Sequence, residues 1–191
     1  MTHAKLRADE LTIQLDERRS LRVLDETDAE RLYAVTRSNR AYLTRWLPWA
    51  AEQTLAGTLD FIQRVRRQLA EDDGFAVAMF VEERVVGTLG FHRLDWQNRS
   101  TSIGYWIAEA EQGQGTVTTA VSALLDRAFD NWGLNRVEIR AGVENHRSRA
   151  IPHRLGFREE GVLRQAERLG DRYVDQVVYA ILAADWRTQR R

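Results

Sequence analysis

The sequence switches from strand to helix periodicity directly after a loop that contains two glycines. Residues 102–107 are a β-rich run, and the loop Gln112-Gly-Gln-Gly-Thr116 follows them closely. From Val117 to Trp132, apolar residues recur at the spacing of one helical face, and residues 136–141 then alternate as a strand. A helix between two strands predicts a parallel strand pair, because parallel pairing requires a crossover connection.

The remaining apolar patterns predict antiparallel strands and further helices around this unit. Strand patterns occupy residues 11–15, 21–24, 75–81, 85–91, 160–164 and 176–182. Helical spacing occupies residues 27–39, 55–69 and 148–155, and the first of these helices starts with the capping-box pattern Thr27-Asp-Ala-Glu30. We therefore predict an α+β fold with a central, mostly antiparallel mixed sheet.

Composition narrows the class of protein. A chain of 191 residues with 43% hydrophobic content suits one domain over residues 1–191. The 28 basic and 28 acidic residues cancel, which argues against nucleic acid or an anionic membrane as a partner. Cysteine is absent and the four histidines lack ligand spacing, so we expect no disulfide and no metal. Without an apolar signal core or a run of roughly 18 apolar residues, the expected location is the cytoplasm.

The glycine loop has the chemistry of an anion site. Glycines allow backbone N–H groups to turn toward a phosphate, and the N-terminus of the following helix contributes a partial positive charge. The loop matches neither the Gly-Lys-Ser/Thr pattern of a P-loop nor the G-x-G-x-x-G pattern of a dinucleotide site. Taken alone, these glycines are equally compatible with a tight turn before a helix.

A second motif narrows the class of phosphate compound that the loop is expected to bind. Asn145-His-Arg-Ser148 opens the predicted helix at residues 148–155, and Leu155-Gly-Phe157 closes it. Together with the loop, this motif resembles the GNAT superfamily of N-acetyltransferases, and within it the RimJ/RimL-like ribosomal-protein N-acetyltransferases, over nearly the whole chain. The pyrophosphate loop of that family reads Gln/Arg-x-x-Gly-x-Gly/Ala, and here Val117 departs from it at the last place. The resemblance implies a sheet whose parallel strands splay apart, with helices on both faces.

The resemblance also implies acetyl-CoA as co-substrate and a set of residues that bind it. Asn145 would bond the pantetheine arm, and Ser148 would lie near the sulfur, where a hydroxyl can donate a proton to the departing thiolate. The alternative is that Asn145 or Ser148 only caps the helix. The complete predicted cofactor-binding set is Trp106, Ile107, Gln112, Gly113, Gln114, Gly115, Thr116, Val117, Asn145 and Ser148.

Catalysis requires a proton acceptor, because the attacking amine must lose a proton. The RimJ/RimL-like branch carries a glutamate at the place of Glu167, which the resemblance implies as the base. A substrate clamp or a solvated charge at a strand end is the alternative for Glu167. We expect direct attack of the amine on the thioester, with backbone N–H groups of residues 105–108 polarising the carbonyl oxygen.

The acceptor is the least constrained part of the prediction. Trp46 and Trp49 are candidates for the acceptor cleft, as is His92 at the end of a predicted strand, although core packing is an alternative for each of them. We expect the acceptor to be the N-terminus of a ribosomal protein. A small-molecule amine and a non-catalytic acyl-CoA-binding regulator are the alternatives. Exposed strand edges and surface aromatic residues also favour a homodimer.

Overall fold

The computed structural model describes residues 5–190, whose strands form one eight-stranded sheet in the order β1-β2-β3-β4-β5-β6-β8-β7. Neighbouring strands are antiparallel except β5 and β6, which are parallel. The mixed, mostly antiparallel sheet with one parallel pair is therefore confirmed. The strands are β1 (Ile13–Gln14), β2 (Arg19–Val23), β3 (Phe75–Val81), β4 (Arg84–Phe91), β5 (Ser100–Ile107), β6 (Arg136–Gly142), β7 (Arg158–Leu169) and β8 (Arg172–Leu182).

Helices cover both faces of the sheet. The helices are α1 (Ala29–Ser38), α2 (Arg40–Leu43), α3 (Leu55–Ala70), α4 (Thr116–Asp126), α5 (His146–Arg154) and α6 (Ala183–Gln189). Helices α1 and α3 pack on β3 and β4 through a small core that includes Leu32, Ile62 and Phe80. Helices α4, α5 and α6 lie over the opposite face and bury the larger core. Within residues 5–190, no helix has the length and apolar composition needed to cross a bilayer.

The parallel pair separates along its length. Strands β5 and β6 are in register only from Ser100 opposite Arg136 to Ile103 opposite Ile139. Beyond that point β5 continues along β4 as far as Ile107, while β6 continues along β8 as far as Gly142. The two strands therefore leave a gap between them inside an otherwise continuous sheet.

The start of α1 differs from the prediction. Asp25 caps this segment: its carboxylate accepts from the Thr27 N–H at 2.8 Å, and the Asp28 carboxylate accepts from the Asp25 N–H at 2.9 Å. The predicted capping box of Thr27 with Glu30 is therefore wrong. The reason is tertiary, because Arg22 binds the buried Asp28 carboxylate at 2.8 Å, and residues 26–28 form a 3₁₀ turn before α1.

The elements that end the chain are longer than the sequence pattern indicated. Strands β7 and β8 form a hairpin over residues 158–182, and two register shifts in β7 interrupt the alternation that the prediction relied on. Helix α6 was not predicted, because its seven residues carry little periodic signal. It is held by Trp186, whose buried indole donates to the Asp126 carboxylate at 2.8 Å.

Candidate active site

Two cavities meet at the gap between β5 and β6. The first, which we call the loop cavity, has a volume of about 670 Å³ and lies between the glycine loop, α2, α4 and α5. The second, which we call the helix-side cavity, has a volume of about 950 Å³ and lies beneath α1 and α3. Both are of the size that small-molecule sites usually have. Six residues line both cavities: Trp46, Leu47, Tyr105, Trp106, Asn145 and Ser148.

The glycine loop at one end of the loop cavity adopts a conformation that favours glycine. Gly113 has φ +75° and Gly115 has φ +78°, both in the left-handed region. A Cβ at Gly113 would meet no atom within 4 Å, so the backbone there faces open space. The glycines are thus required by the backbone conformation of the loop, and they leave its N–H groups accessible.

The N-terminus of α4 adds uncompensated hydrogen-bond donors to the same place. The first four N–H groups of an α-helix lack partners within the helix, and α4 has neither a side-chain cap nor an acidic residue in its first turn. The Thr116 hydroxyl is buried against the loop cavity and makes no hydrogen bond to any described residue. A phosphate group, with its several acceptor oxygens, suits this set of donors.

The two glutamines of the loop differ in their side-chain contacts and in their position relative to the loop cavity. Gln112 donates to the Tyr42 hydroxyl and accepts from the Arg147 guanidinium, which ties the loop to α2 and α5. Gln114 does not line the loop cavity, and its side chain donates to the Ala110 carbonyl at 3.3 Å. Only the backbone of Gln114 therefore suits the predicted binding role. Tyr42 was missed because its position next to the loop depends on the path of α2.

Ser148 lies where the two cavities join. Its hydroxyl donates to the Tyr105 hydroxyl at 3.2 Å, and the Tyr105 hydroxyl donates to the Ser148 carbonyl at 3.1 Å. Burial raises the pKa of Tyr105 to about 12, although the hydrogen bond with Ser148 acts in the opposite direction. Tyr105 therefore stays protonated and holds Ser148 in place. The sequence carried no signal for this pair, since 43 residues separate the two positions.

Asn145 caps α5, and Ser148 does not. The Asn145 side-chain oxygen accepts from the Ser148 N–H at 3.2 Å. Its amide N–H groups remain available as donors at a position that lines both cavities. The capping and ligand-binding interpretations of Asn145 are therefore compatible. Arg149 is used structurally, because it donates to the Tyr179 hydroxyl and to the Val143 carbonyl, each at 2.8 Å.

The backbone of β5 directs N–H groups into the gap. The Ala108 N–H bonds the Val86 carbonyl at 2.7 Å, and the Ser102 carbonyl accepts from the His92 N–H at 2.9 Å. Backbone groups alternate in direction along a strand, so those of Tyr105 and Ile107 point away from β4. They face the gap, where β5 and β6 no longer pair. Among the predicted N–H groups of residues 105–108, those of Tyr105 and Ile107 are therefore the ones that can bond a group in the gap. The Ala108 N–H cannot, because it already donates to the Val86 carbonyl.

The predicted aromatic residues line the helix-side cavity. Trp46 and Trp106 border both cavities, and Trp49 contacts Trp106 edge to face with ring centroids 6.0 Å apart. Trp49 is 41% exposed, so this wall combines apolar surface with access from solvent. The core-packing alternative is thus incorrect for Trp49, which lies outside both buried clusters.

His92 lies on the floor of the helix-side cavity, over β5. Its Nδ1 is 3.0 Å from the Ser102 hydroxyl, and a Cβ at Gly104 would approach its Nε2 to 2.6 Å. Although the ring is open to the cavity, loss of hydration lowers the pKa of His92, and the positive charge of Arg140 lowers it further. His92 is therefore neutral near pH 7.

Glu167 reaches the helix-side cavity because of an irregularity in β7. The register with β8 shifts between Leu163 and Glu167, and Gln165 adopts φ +49° within that shift. The Glu167 carboxylate accepts from the Gln176 amide at 2.8 Å, and both side chains line the cavity. A β-bulge of this kind turns a side chain away from the direction that regular alternation would give it.

The sequence and the fold are both similar to those of known proteins. Residues 18–158 match the family model described as an acetyltransferase (GNAT) domain. The chain is 36% identical over 181 residues to YdaF of Bacillus subtilis (strain 168), provisionally named a ribosomal N-acetyltransferase. That match covers 94% of this chain and 99% of YdaF.

Two further relatives have more specific names. The chain is 31% identical over 179 residues to the ribosomal-protein-serine acetyltransferase of Escherichia coli (strain K12), a match that covers 88% of this chain and 95% of that enzyme. Among solved structures, RimL, described as a ribosomal alpha-N-protein acetyltransferase in complex with coenzyme A, superposes with a TM-score of 0.86 at 27% identity. This superposition covers 90% of this chain and 97% of RimL.

Proposed function

The chain belongs to the GNAT family and is an acetyltransferase, and we propose that it moves the acetyl group of acetyl-CoA to the N-terminal α-amino group of a ribosomal protein. One observation carries this proposal. The loop cavity and the helix-side cavity meet at the gap in the sheet, with Ser148 at the junction and Glu167 on the helix side. This arrangement suits two substrates that enter from opposite sides and react at the junction.

The loop cavity is the proposed site for acetyl-CoA. Backbone N–H groups of Gly113, Gly115 and the first turn of α4 would bind the pyrophosphate, with the Thr116 hydroxyl as an additional donor. The amide of Asn145 would bond the pantetheine arm, which would pass between α4 and α5 to reach the gap. The thioester supplies an activated acetyl group at the junction of the two cavities.

The proposed reaction is direct attack of the amine on the thioester. The amine nitrogen forms a bond with the carbonyl carbon, the carbon–sulfur bond breaks, and the nitrogen loses a proton to Glu167, directly or through water. The Tyr105 and Ile107 N–H groups would bond the carbonyl oxygen as it gains negative charge. The thiolate takes a proton from Ser148, which regains one from solvent, and Glu167 releases its proton to solvent. The products are an N-acetylated peptide and free coenzyme A.

The helix-side cavity supports a peptide as the acceptor. Its volume of about 950 Å³ exceeds what a single amino group requires, and Trp49 borders it where it opens to solvent. An extended chain advances about 3.3 Å per residue, so the residues that follow an amine at the gap would extend toward the exposed Trp49. The names of the relatives point to the same acceptor class.

The direct test is release of thiol from acetyl-CoA in the presence of a panel of amines. We expect turnover with ribosomal-protein N-terminal peptides, and mass spectrometry should place the acetyl group on the α-amine. Initial rates should follow a sequential pattern, because no acetyl-enzyme is formed. Turnover restricted to polyamines, aminoglycosides or lysine side chains would contradict the proposed acceptor. Binding of acetyl-CoA without turnover on any amine would instead indicate a regulator.

Replacing Ser148 with alanine is expected to lower kcat about 100-fold, because the thiolate would lose its proton donor. The Kd for CoA, measured by calorimetry, should change less than about threefold, since Asn145 keeps its cap on α5. Tyr105→Phe is the companion variant, and it should lower kcat about tenfold by releasing the Ser148 hydroxyl.

The effects of these two substitutions on kcat should not be additive. If Tyr105 acts through Ser148, the double variant will resemble Ser148→Ala alone. Equal and independent losses in the two single variants would show instead that Tyr105 has a separate role. A kcat for Ser148→Ala within twofold of the wild type would rule out Ser148 as the proton donor.

A further inference from the structure

The helix-side cavity is unusually basic for a site that receives an amine. Three arginines from separate elements line it: Arg64 on α3, Arg93 after β4 and Arg140 on β6. Among the described residues that line this cavity, Glu167 is the sole carboxylate. His92, which lies among them, is neutral near pH 7 for the reasons given above. The formal charge of the lining is therefore +2 when Glu167 is ionised.

Of these three arginines, Arg140 is the one on a strand that borders the gap. It lies two residues before Gly142 on β6, and Gly142 pairs with Gln176, the residue that binds Glu167. At about 3.3 Å per residue, Arg140 is therefore about 7 Å along the strand from this group. Its side chain is 50% exposed, so the guanidinium is open to an incoming group.

Glu138 pairs with Arg140 but leaves most of the donor N–H groups of this guanidinium open. Glu138 accepts from Arg140 at 3.1 Å and from Arg136 at 2.8 Å, and Arg136 also binds Glu160 at 2.5 Å. Glu138 does not line the cavity, and the charge of Arg140 still acts on His92 across it. A guanidinium has five donor N–H groups, so one contact with Glu138 leaves donors for another acceptor.

Arg64 extends the basic surface along the opposite wall. It lies on the face of α3 that borders the cavity, and its guanidinium stacks on the Phe61 ring at 5.6 Å from the centroid. Arg93 stands farther out, 87% exposed, and approaches Asp73 only to 3.8 Å. The positive charge therefore continues from the reaction point toward the mouth of the cavity.

We propose that the helix-side cavity selects acceptors that carry a carboxylate near the reacting amine, and that Arg140 binds this carboxylate, with Arg64 on the opposite wall. This inference rests on the proposed function and names the acceptor class within it. Arginine binds carboxylates in a planar, two-bond geometry, which makes it suited to recognition of this group. Polycationic acceptors are disfavoured, because each further positive charge would enter a cavity that already carries three guanidinium groups.

The carboxylate has two chemical sources. It is either the side chain of an aspartate or glutamate next to the N-terminal residue of a peptide, or the α-carboxylate of a free amino acid. The two sources differ in geometry, because a carboxylate on the second residue lies farther from the amine than an α-carboxylate does. Free serine and serine amide therefore belong in the experiment beside the peptides.

The experiment measures kcat/KM for three hexapeptides that differ only at the second residue, which is aspartate, asparagine or lysine. With the wild-type enzyme we expect the aspartate peptide to exceed the asparagine peptide by about tenfold and the lysine peptide by more. Arg140→Gln should remove most of this discrimination, and Arg140→Glu should reverse it. Free serine should be a poorer substrate than the aspartate peptide.

Arg67→Gln is the matched control. Arg67 lies on α3 one turn after Arg64, is exposed and does not line the cavity, so this variant should keep the wild-type order of the three peptides. Arg64→Gln should weaken the preference by a few-fold. Thermal melts and the Kd for CoA, unchanged in every variant, will show that the fold and the loop cavity are intact.

The outcomes separate this inference from the proposed function. Acetylation of all three peptides within twofold of one another, or an order that Arg140→Glu leaves unchanged, would overturn the carboxylate selection while the peptide acetyltransferase stands. A preference for free serine over serine amide without any peptide turnover would move the carboxylate to an amino acid and overturn the protein acceptor. Absence of turnover with every amine would overturn both.

Discussion

Replacing Glu167 with glutamine is expected to lower kcat by about 10²- to 10⁴-fold, because the amine would lose its proton acceptor. Glutamine keeps the length of the side chain and an oxygen that can accept from Gln176, the present partner at 2.8 Å. The wall of the helix-side cavity should therefore keep its shape. Initial-rate measurements with an N-terminal peptide, together with a pH profile of kcat/KM, test this expectation.

Asp171 provides a control for the loss of a carboxylate, and the separate effects on kcat and KM distinguish a base from a substrate clamp. Asp171 lies in the turn between β7 and β8, is exposed and borders neither cavity, so Asp171→Asn should leave kcat unchanged. If Glu167 only positions the substrate, Glu167→Gln will raise KM while kcat stays near the wild-type value. An unchanged kcat with an unchanged pH profile would remove Glu167 from the proton transfer altogether.

Replacing Gly115 with aspartate is expected to weaken CoA binding about 100-fold. The new carboxylate would stand at the N-terminus of α4, where the pyrophosphate is proposed to bind, and two like charges about 4 Å apart repel by roughly 1 to 4 kcal/mol. Arg19, whose guanidinium lies 3.9 Å from the position of the new Cβ, is already paired with Asp16 at 2.5 Å. It should therefore neutralise little of the added charge.

Gly115→Asn is the matched variant, since asparagine has the same shape without the charge and tolerates the left-handed conformation at φ +78°. We expect it to weaken CoA binding less than tenfold, as measured by calorimetry. Thermal stability should fall less for aspartate than for asparagine, because an acidic side chain suits a helix N-terminus. Equal affinities of the two variants and the wild type for CoA would contradict the phosphate site.

The parts of the site that were predictable depend on local sequence. Gly113 and Gly115 adopt left-handed conformations that favour glycine, and α4 follows them because its apolar residues recur on one face. Asn145 caps α5 through a contact only three residues away. Such features involve neighbouring residues alone, so they can be recognised without knowing how the chain packs.

Other predictions were incomplete because they depend on distant contacts. The predicted capping box at Thr27 failed because Arg22 on β2 binds Asp28. The strand at residues 160–164 was too short, because β7 continues through its register shifts by pairing with β8. The single domain over residues 1–191 and the homodimer stay predictions.

The sequence by itself determined the fold class through its periodicity and the family through the resemblance of its motifs, and it predicted an anion-binding loop, because these features are properties of short segments. Only the tertiary structure decided which groups border the gap and the helix-side cavity. The gap between β5 and β6 selects the N–H groups of Tyr105 and Ile107, and the shift in β7 turns Glu167 into the helix-side cavity. Arg64 and Arg140 are 76 positions apart in the chain and line one cavity only after the sheet has formed, because burial and charge depend on spatial neighbours.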